Sequence, residues 1–103
     1  MSDFRLHPGS DGVFYLAGEL DLLSAEGLER RLASAGEEPH DLVLDLTDVS
    51  FVDSTGIRSF LRLAKLVHPR CLVLRAPQPT VAHVLEIVGI QTFGIRVEPA
   101  SSD

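Results

Sequence analysis

The sequence has one cysteine, Cys71, one lysine, Lys65, and no tryptophan, and between Ser54 and Leu85 it has no acidic residue at all. A lone cysteine cannot close an internal disulfide and has no second thiol for a metal site. Cys71 therefore reads as a buried strand residue, not a redox group. No apolar run approaches the ~20 residues that a membrane helix needs. The segment Met1-Ser2-Asp3-Phe4-Arg5 has neither a positive n-region nor an apolar h-region, so no export signal is expected. An excess of positive charge is missing as well. Fifteen acidic residues against nine basic give a formal charge of −6, without the positive field that supplies most nucleic-acid affinity. A cytoplasmic chain with no nucleic-acid partner and no membrane insertion is expected.

What is present suits one domain over residues 1–103, with a core over about 4–97. Of 103 residues 45% are hydrophobic, and a chain this long buries roughly two-thirds of its surface around one core. The charge is unevenly spread. Residues 1–53 hold twelve acids and three bases, whereas residues 54–103 hold six bases and three acids.

The organisation reads as alternating elements between two frayed ends, Met1–Asp3 and Pro99–Asp103. Phe4–His7 stops at the turn cluster Pro8-Gly9-Ser10-Asp11-Gly12. Val13–Ala17 follows with strand composition, so the two predict a hairpin. Leu28, Leu32 and Ala35 recur at helical spacing, with Gly36 placed to end that helix. Leu42–Leu46 is a nearly continuous apolar run, as in a central strand covered on both faces. A second helix is predicted over Ser54–Val67, with Ile57, Phe60, Leu61, Ala64 and Val67 inward and Arg58, Arg62 and Lys65 outward; His68-Pro69 stops it. Cys71–Leu74 reads as a strand. Pro79 opens a third helix with Val81, Val84, Leu85 and Val88 on one face and Gly89 at its end. Phe93–Val97 closes the chain as a strand. The order β-β-α-β-α-β-α-β predicts an α/β fold: a mostly parallel four- to five-stranded sheet with helices packed on it through right-handed crossovers.

The chemistry concentrates in Phe51-Val52-Asp53-Ser54-Thr55-Gly56-Ile57, which runs into the second helix. Asp53 or Ser54 fits an N-cap that accepts bonds from the first helical amides. Gly56 is not explained by capping, because glycine inside a helix costs about 1 kcal/mol relative to alanine; something is expected to approach the backbone there. A serine at a helix N-terminus also suits phosphorylation. A phosphate would meet free backbone N–H groups and the positive end of the helix dipole, with Arg58 one turn on.

Enzymatic readings lack parts. Asp53-Ser54-Thr55-Gly56 resembles the Asp-Thr/Ser-Gly of aspartic proteases, but those are β proteins and a helix follows here. A serine hydrolase would place its nucleophile at a G-x-S-x-G elbow; Val52 holds the first glycine position, and none of His7, His40, His68 and His83 has an assignable base role. A two-component receiver would need a late lysine, and Lys65 lies in mid-helix. Glu19, Asp21, Asp45, Asp48 and Asp53 read as solvated loop acids and helix caps, with no metal-ligand spacing and no phosphate-cradling loop.

Gly18-Glu19-Leu20-Asp21 after the second strand, then Asp53-Ser54-Thr55-Gly56-Ile57 after an apolar strand, resembles the STAS domain (sulphate transporter and anti-sigma factor antagonist). Leu72–Pro77 and Val84–Ile90 also look like that family's closing strand and helix, so the resemblance covers residues 4–97. It implies a stand-alone anti-sigma factor antagonist; no catalytic activity, metal or cofactor is expected, and although some members of the family bind nucleotide, nothing in the sequence locates such a site. Unphosphorylated, such a protein binds an anti-sigma factor that is also a serine kinase and so frees a sigma factor; the kinase then phosphorylates the antagonist, which lets go, and a phosphatase resets it. Carried onto this sequence, the resemblance makes Ser54 the phosphoacceptor, with Asp53 orienting it and Gly56 leaving room for the kinase. Glu19, Asp21, Asp53, Ser54, Thr55, Gly56 and Arg58 form the implied partner surface. The alternative is a STAS regulatory subunit of a lipid or anion transporter complex in a membrane. The oligomeric state is left open.

Overall fold

The computed structural model describes residues 3–100; Met1, Ser2 and Ser101–Asp103, part of the expected frayed ends, lie outside the described residues. The elements are β1 (Arg5–Pro8), β2 (Phe14–Leu20), α1 (Leu22–Arg31), β3 (Leu42–Val52), α2 (Ser54–Val67), β4 (Leu72–Arg75), α3 (Pro79–Ile87) and β5 (Arg96–Glu98), with 3-10 turns at Ala33–Glu37 and Ile90–Phe93. They form one five-stranded sheet in the order β1-β2-β3-β4-β5. The β1–β2 hairpin is antiparallel and every other pair is parallel.

Each crossover after β2 steps in the same direction along the sheet, so right-handed connections place α1, α2 and α3 on one face. Their apolar side chains accordingly join one cluster with the inward residues of the strands: Leu28 from α1, Ile57, Phe60, Leu63 and Val67 from α2, and Val81 and Leu85 from α3 meet Leu16, Leu44, Leu46, Leu72 and Leu74. Phe60, Leu44 and Leu74 are fully buried, and each such side chain contributes roughly 1.5–3 kcal/mol by leaving water.

The opposite face carries polar side chains beside Val43 and the buried Val73, contrary to a central strand covered on both sides. Cross-strand register sets Tyr15 beside Asp45, Asp45 beside Arg75 and Arg75 beside Glu98. Arg75 donates from Nε to Asp45 (3.0 Å) and from Nη2 to the Tyr15 hydroxyl (3.2 Å). Burial pushes the Asp45 carboxyl up, but the bonds from Thr47 and Arg75 outweigh it and hold it below its ordinary value. The bonds to Asp45 and Tyr15 raise the Arg75 guanidinium in turn.

Several element ends differ from expectation. The first helix stops at Arg31, and a 3-10 turn containing Gly36 takes over. A side chain at Gly36 would crowd Leu66 at 3.1–3.2 Å. The third strand runs to Val52 instead of stopping near Leu46. Cys71 precedes β4 and is half-buried. The last strand begins only at Arg96, because Ile90–Phe93 coils into a 3-10 turn and Gly94 follows with φ +79°. On α3, Val88 turns out to solvent, and on α2 the inward stripe includes Leu63 while Leu61 and Ala64 are only partly covered. No helix among the described residues is long and apolar enough to cross a membrane.

Candidate functional site

The site lies where β2 and β3 end and α1 and α2 begin, and the long third strand builds it. Leu42, Leu44 and Leu46 point inward at every second residue. Beyond them β3 carries two irregularities against β2, where two residues on β2 oppose three on β3 (Tyr15/Ala17 against Asp45/Asp48) and one step on β2 matches two on β3 (Gly18/Glu19 against Val49/Phe51). Each bulge inserts a residue and shifts the phase, so Val49 and Val52 are buried while Thr47, Asp48, Ser50 and Phe51 are exposed. Glu19 pairs with Phe51 and Leu20 with Val52. The two outgoing turns therefore emerge side by side.

Both turns are helix caps. Asp53 has extended backbone and its carboxylate accepts the N–H groups of Thr55 (2.9 Å) and Gly56 (3.2 Å). The Thr55 hydroxyl donates to the same oxygen at close range and is the largest cause holding the Asp53 carboxyl below its ordinary value. Asp21 caps α1 in the same way, accepting from Leu23 and Ser24, and the Ser24 hydroxyl oxygen accepts the Asp21 N–H (2.9 Å). This reciprocal capping box also ties α1 to β2, because the Ser24 hydroxyl donates to the Glu19 carbonyl (2.9 Å).

The two hydroxyls of the turn thus differ. Thr55 is half-buried and committed to Asp53, whereas Ser54 is exposed, and none of the hydrogen bonds among the described residues involves its hydroxyl. Asp53 therefore fixes the turn on which Ser54 stands; its carboxylate bonds to Thr55 and Gly56 and not to Ser54. The amides of Thr55 and Gly56 are also not free for a phosphate, because Asp53 already fills them.

Gly56 has a different reason from the one expected. It is buried, and a Cβ there would lie 2.8 Å from the Leu20 carbonyl oxygen and 2.9 Å from Leu20 Cγ and Val52 Cγ1. The close approach is made by the chain itself, α2 onto the ends of β2 and β3, and Gly56 leaves no room at the surface. Arg58 is exposed on the next turn. The basic stripe divides, since Arg62 faces Glu29 of α1 (3.5 Å) while Glu29 also accepts from the buried Ser59 hydroxyl (2.6 Å).

Three apolar side chains of this end were not singled out in the sequence. Leu22 and Leu23 are each 72% exposed, and Phe51 is 48% exposed. Phe51 lies beside Glu19, and the leucines form the first turn of α1 beside the Ser54 turn. A signal for the leucines was available: with Asp21 as cap, Leu22 and Leu23 fall about 100° and 160° off the stripe set by Leu28 and Leu32. The exposed surface around Ser54 is therefore an apolar rim with Glu19, Asp21 and Asp53 between, a composition suited to a protein partner. Asp45 and Asp48, expected in loops, lie within β3. Among the described residues no group of His, Cys, Asp and Glu is assembled to hold a metal ion.

Comparison with known proteins gives the family and the fold. A family model described as STAS domain matches residues 5–102. The anti-sigma-B factor antagonist of Bacillus subtilis (strain 168) is 42% identical over 52 residues; the match spans half of this chain and 48% of that protein's length. Among solved structures, the anti-sigma factor antagonist SpoIIAA in its unphosphorylated form aligns over 97% of this chain and 89% of its own, with a TM-score of 0.74 at 20% identity. An anti-sigma factor antagonist from Mycobacterium paratuberculosis aligns over 96% and 86%, with a TM-score of 0.69 at 21% identity. At these identities the structural likeness concerns the fold: a five-stranded, mostly parallel sheet with three helices.

Proposed function

The chain belongs to the STAS domain family, and from that membership we propose that it is an anti-sigma factor antagonist, a non-catalytic interaction module switched by phosphorylation of Ser54. Unphosphorylated, it binds an anti-sigma factor that is a serine kinase and thereby frees a sigma factor. Phosphate on Ser54 ends the binding, and a phosphatase restores it. The observation that carries this reading is the contrast at the α2 cap: Ser54 presents an exposed hydroxyl while Thr55 is bonded to Asp53. A kinase needs a hydroxyl that can reach its phosphoryl donor, and Ser54 is that group. The exposed Leu22, Leu23 and Phe51 supply apolar area for an interface, and Glu19 and Asp21 set its polarity. Arg58 lies within reach of the new phosphate, one turn along α2. The partly matching relative from Bacillus subtilis is an anti-sigma-B factor antagonist, and the SpoIIAA structure is of an unphosphorylated form; both support the reading.

The test is incubation with the cognate kinase and ATP. One phosphate is expected, located on Ser54 by mass spectrometry. Ser54→Ala should keep partner binding and Ser54→Asp should weaken it at least tenfold, since like charges brought together at an interface cost several kcal/mol. Stoichiometric phosphate elsewhere with Ser54 bare, or equal binding by both variants, would overturn the mechanism. Co-purification with a membrane ATPase and no soluble kinase would move the chain to the transporter-subunit reading instead.

A further inference from the structure

The run from Ser54 to Leu85 holds five bases and no acid, and the fold uses three of them internally. Arg62 faces Glu29. Arg70 donates to the carbonyls of Ala35 and Gly36 and so holds the first 3-10 turn. Arg75 is bound by Asp45 and Tyr15. Arg58 and Lys65 have no acidic partner among the described residues and are exposed. They stand two turns apart on one side of α2, with Leu61 between them at helical spacing.

Beside that stripe lies a hollow of 280 Å³, lined by Leu61, Ala64, Lys65, His68 and, from the second 3-10 turn, Phe93. Phe93 is 57% exposed and Ile87, at the end of α3, is 70% exposed. The acid nearest in sequence to this apolar surface, Glu86, lines a different hollow on the β5 side with Val97. The groove thus joins an apolar floor to a rim whose charge is only positive, at the far end of α2 from Ser54.

We infer that this groove is a second protein-docking site, which takes an amphipathic helix whose apolar side chains are flanked by carboxylates. The apolar residues of such a helix would cover Phe93 and Leu61, and its carboxylates would meet Lys65 and Arg58. Helix-in-groove recognition uses this spacing of anchors, and the opposite charges set polarity and speed association. A basic or uncharged helix lacks the second half of the match.

The probe is a synthetic helical peptide of leucines and glutamates at amphipathic spacing, titrated into the 15N-labelled chain at low salt. Its analogue with lysines for glutamates is the control. Only the acidic peptide should shift the amides of Leu61, Ala64, Lys65 and Phe93. Lys65→Glu, an exposed change that leaves the core alone, should weaken it about fivefold or more, and added salt should do the same. Phe93→Ser should weaken it at both low and high salt. Ser54→Asp should weaken it less than Lys65→Glu does, because Ser54 lies about 16 Å from Lys65 along the helix and only Arg58, about 6 Å away, is near the added charge. The inference fails if the two peptides bind alike, if the acidic peptide does not bind, or if its shifts fall at the Ser54 turn.

Discussion

The two readings of Gly56, space for a partner or space already filled by the chain, separate cleanly in one substitution. Gly56→Ala places a Cβ 2.8 Å from the Leu20 carbonyl oxygen and 2.9 Å from both Leu20 Cγ and Val52 Cγ1, where ordinary contact begins at 3.4 Å. None of these neighbours can move freely. The Leu20 carbonyl accepts the Asp53 N–H (3.2 Å) and Leu20 is fully buried. Overpacking of this kind costs about 1–3 kcal/mol. Alanine returns up to about 1 kcal/mol of helix propensity, so the net expectation is a loss of up to about 2 kcal/mol, and in any case none of the gain that alanine gives at an unhindered helix position. For a domain of this length each kcal/mol corresponds to about 4–8 °C in Tm.

Gly27→Ala is the matched control. Gly27 is also inside a helix, but a Cβ there meets only the Arg30 Nη2 at 3.9 Å. With no clash to oppose it, the same substitution should stabilise by up to about 1 kcal/mol. Urea unfolding followed by far-UV circular dichroism reads both as shifts in midpoint at constant slope. The reasoning is refuted if Gly56→Ala gains as much stability as Gly27→Ala. Space at Gly56 would then be real, and its use by a partner would be the remaining explanation.

Asp53→Ala should lose about 1 kcal/mol by removing the α2 cap, whereas Asp53→Asn should keep most of it; equal losses in urea unfolding would mean that the cap is not what Asp53 contributes. Leu22→Ser and Leu23→Ser should each leave stability within about 0.5 kcal/mol yet weaken partner binding about tenfold or more by calorimetry, and unchanged affinity would remove the apolar rim from the interface. Asp45 has a folded carboxyl held below its ordinary 3.8, so its contribution is complete above that value and is lost as pH falls through the lower folded one. The stability gap between the parent and Asp45→Asn should therefore narrow below about pH 4, and a gap that stays constant into acid would show that the Arg75 pairing does not stabilise the ionised form.

How far the sequence is legible depends on whether the signal is local. The second helix reads to the residue, Ser54–Val67, because a carboxylate cap, a 3.6-residue stripe and His68-Pro69 are all local features. They leave the cap between Asp53 and Ser54; the structure gives it to Asp53 and leaves Ser54 exposed. The third strand is legible only as far as Leu46. Beyond it the inward residues are Val49 and Val52, spaced by three, and a period of two cannot show a strand with two bulges whose register is set by β2. The role of Gly56 was hidden for the same reason. A helical glycine announces a close approach, but only the packing of α2 on Leu20 and Val52 says what approaches. Asp45 was hidden by its partner, since Arg75 lies 30 residues away and is brought beside it only by the β3–β4 pairing.

The capping geometry also constrains how a phosphate on Ser54 could act. The N–H groups of Thr55 and Gly56 are held by the Asp53 carboxylate, and that of Ile57 (3.0 Å) by the Asp53 carbonyl. Three of the amides that would make this helix N-terminus an anion site, those of Thr55, Gly56 and Ile57, are therefore filled from within the chain. A phosphate carrying about −1.5 to −2 charges would have to displace a carboxylate already held below its ordinary range to reach them, and Glu19, Asp21 and Asp53 close in around it with the same sign. Outward, it meets only solvent, Arg58 and whatever covers Leu22, Leu23 and Phe51. Its field thus falls on the docking surface and not on the core, so the fold can remain as it is while the surface changes from an apolar rim with scattered acids to a concentrated negative centre. On the proposed reading, the two successive hydroxyls divide the work: Thr55 completes the cap from inside, and Ser54, left out of it, is the one a kinase would modify.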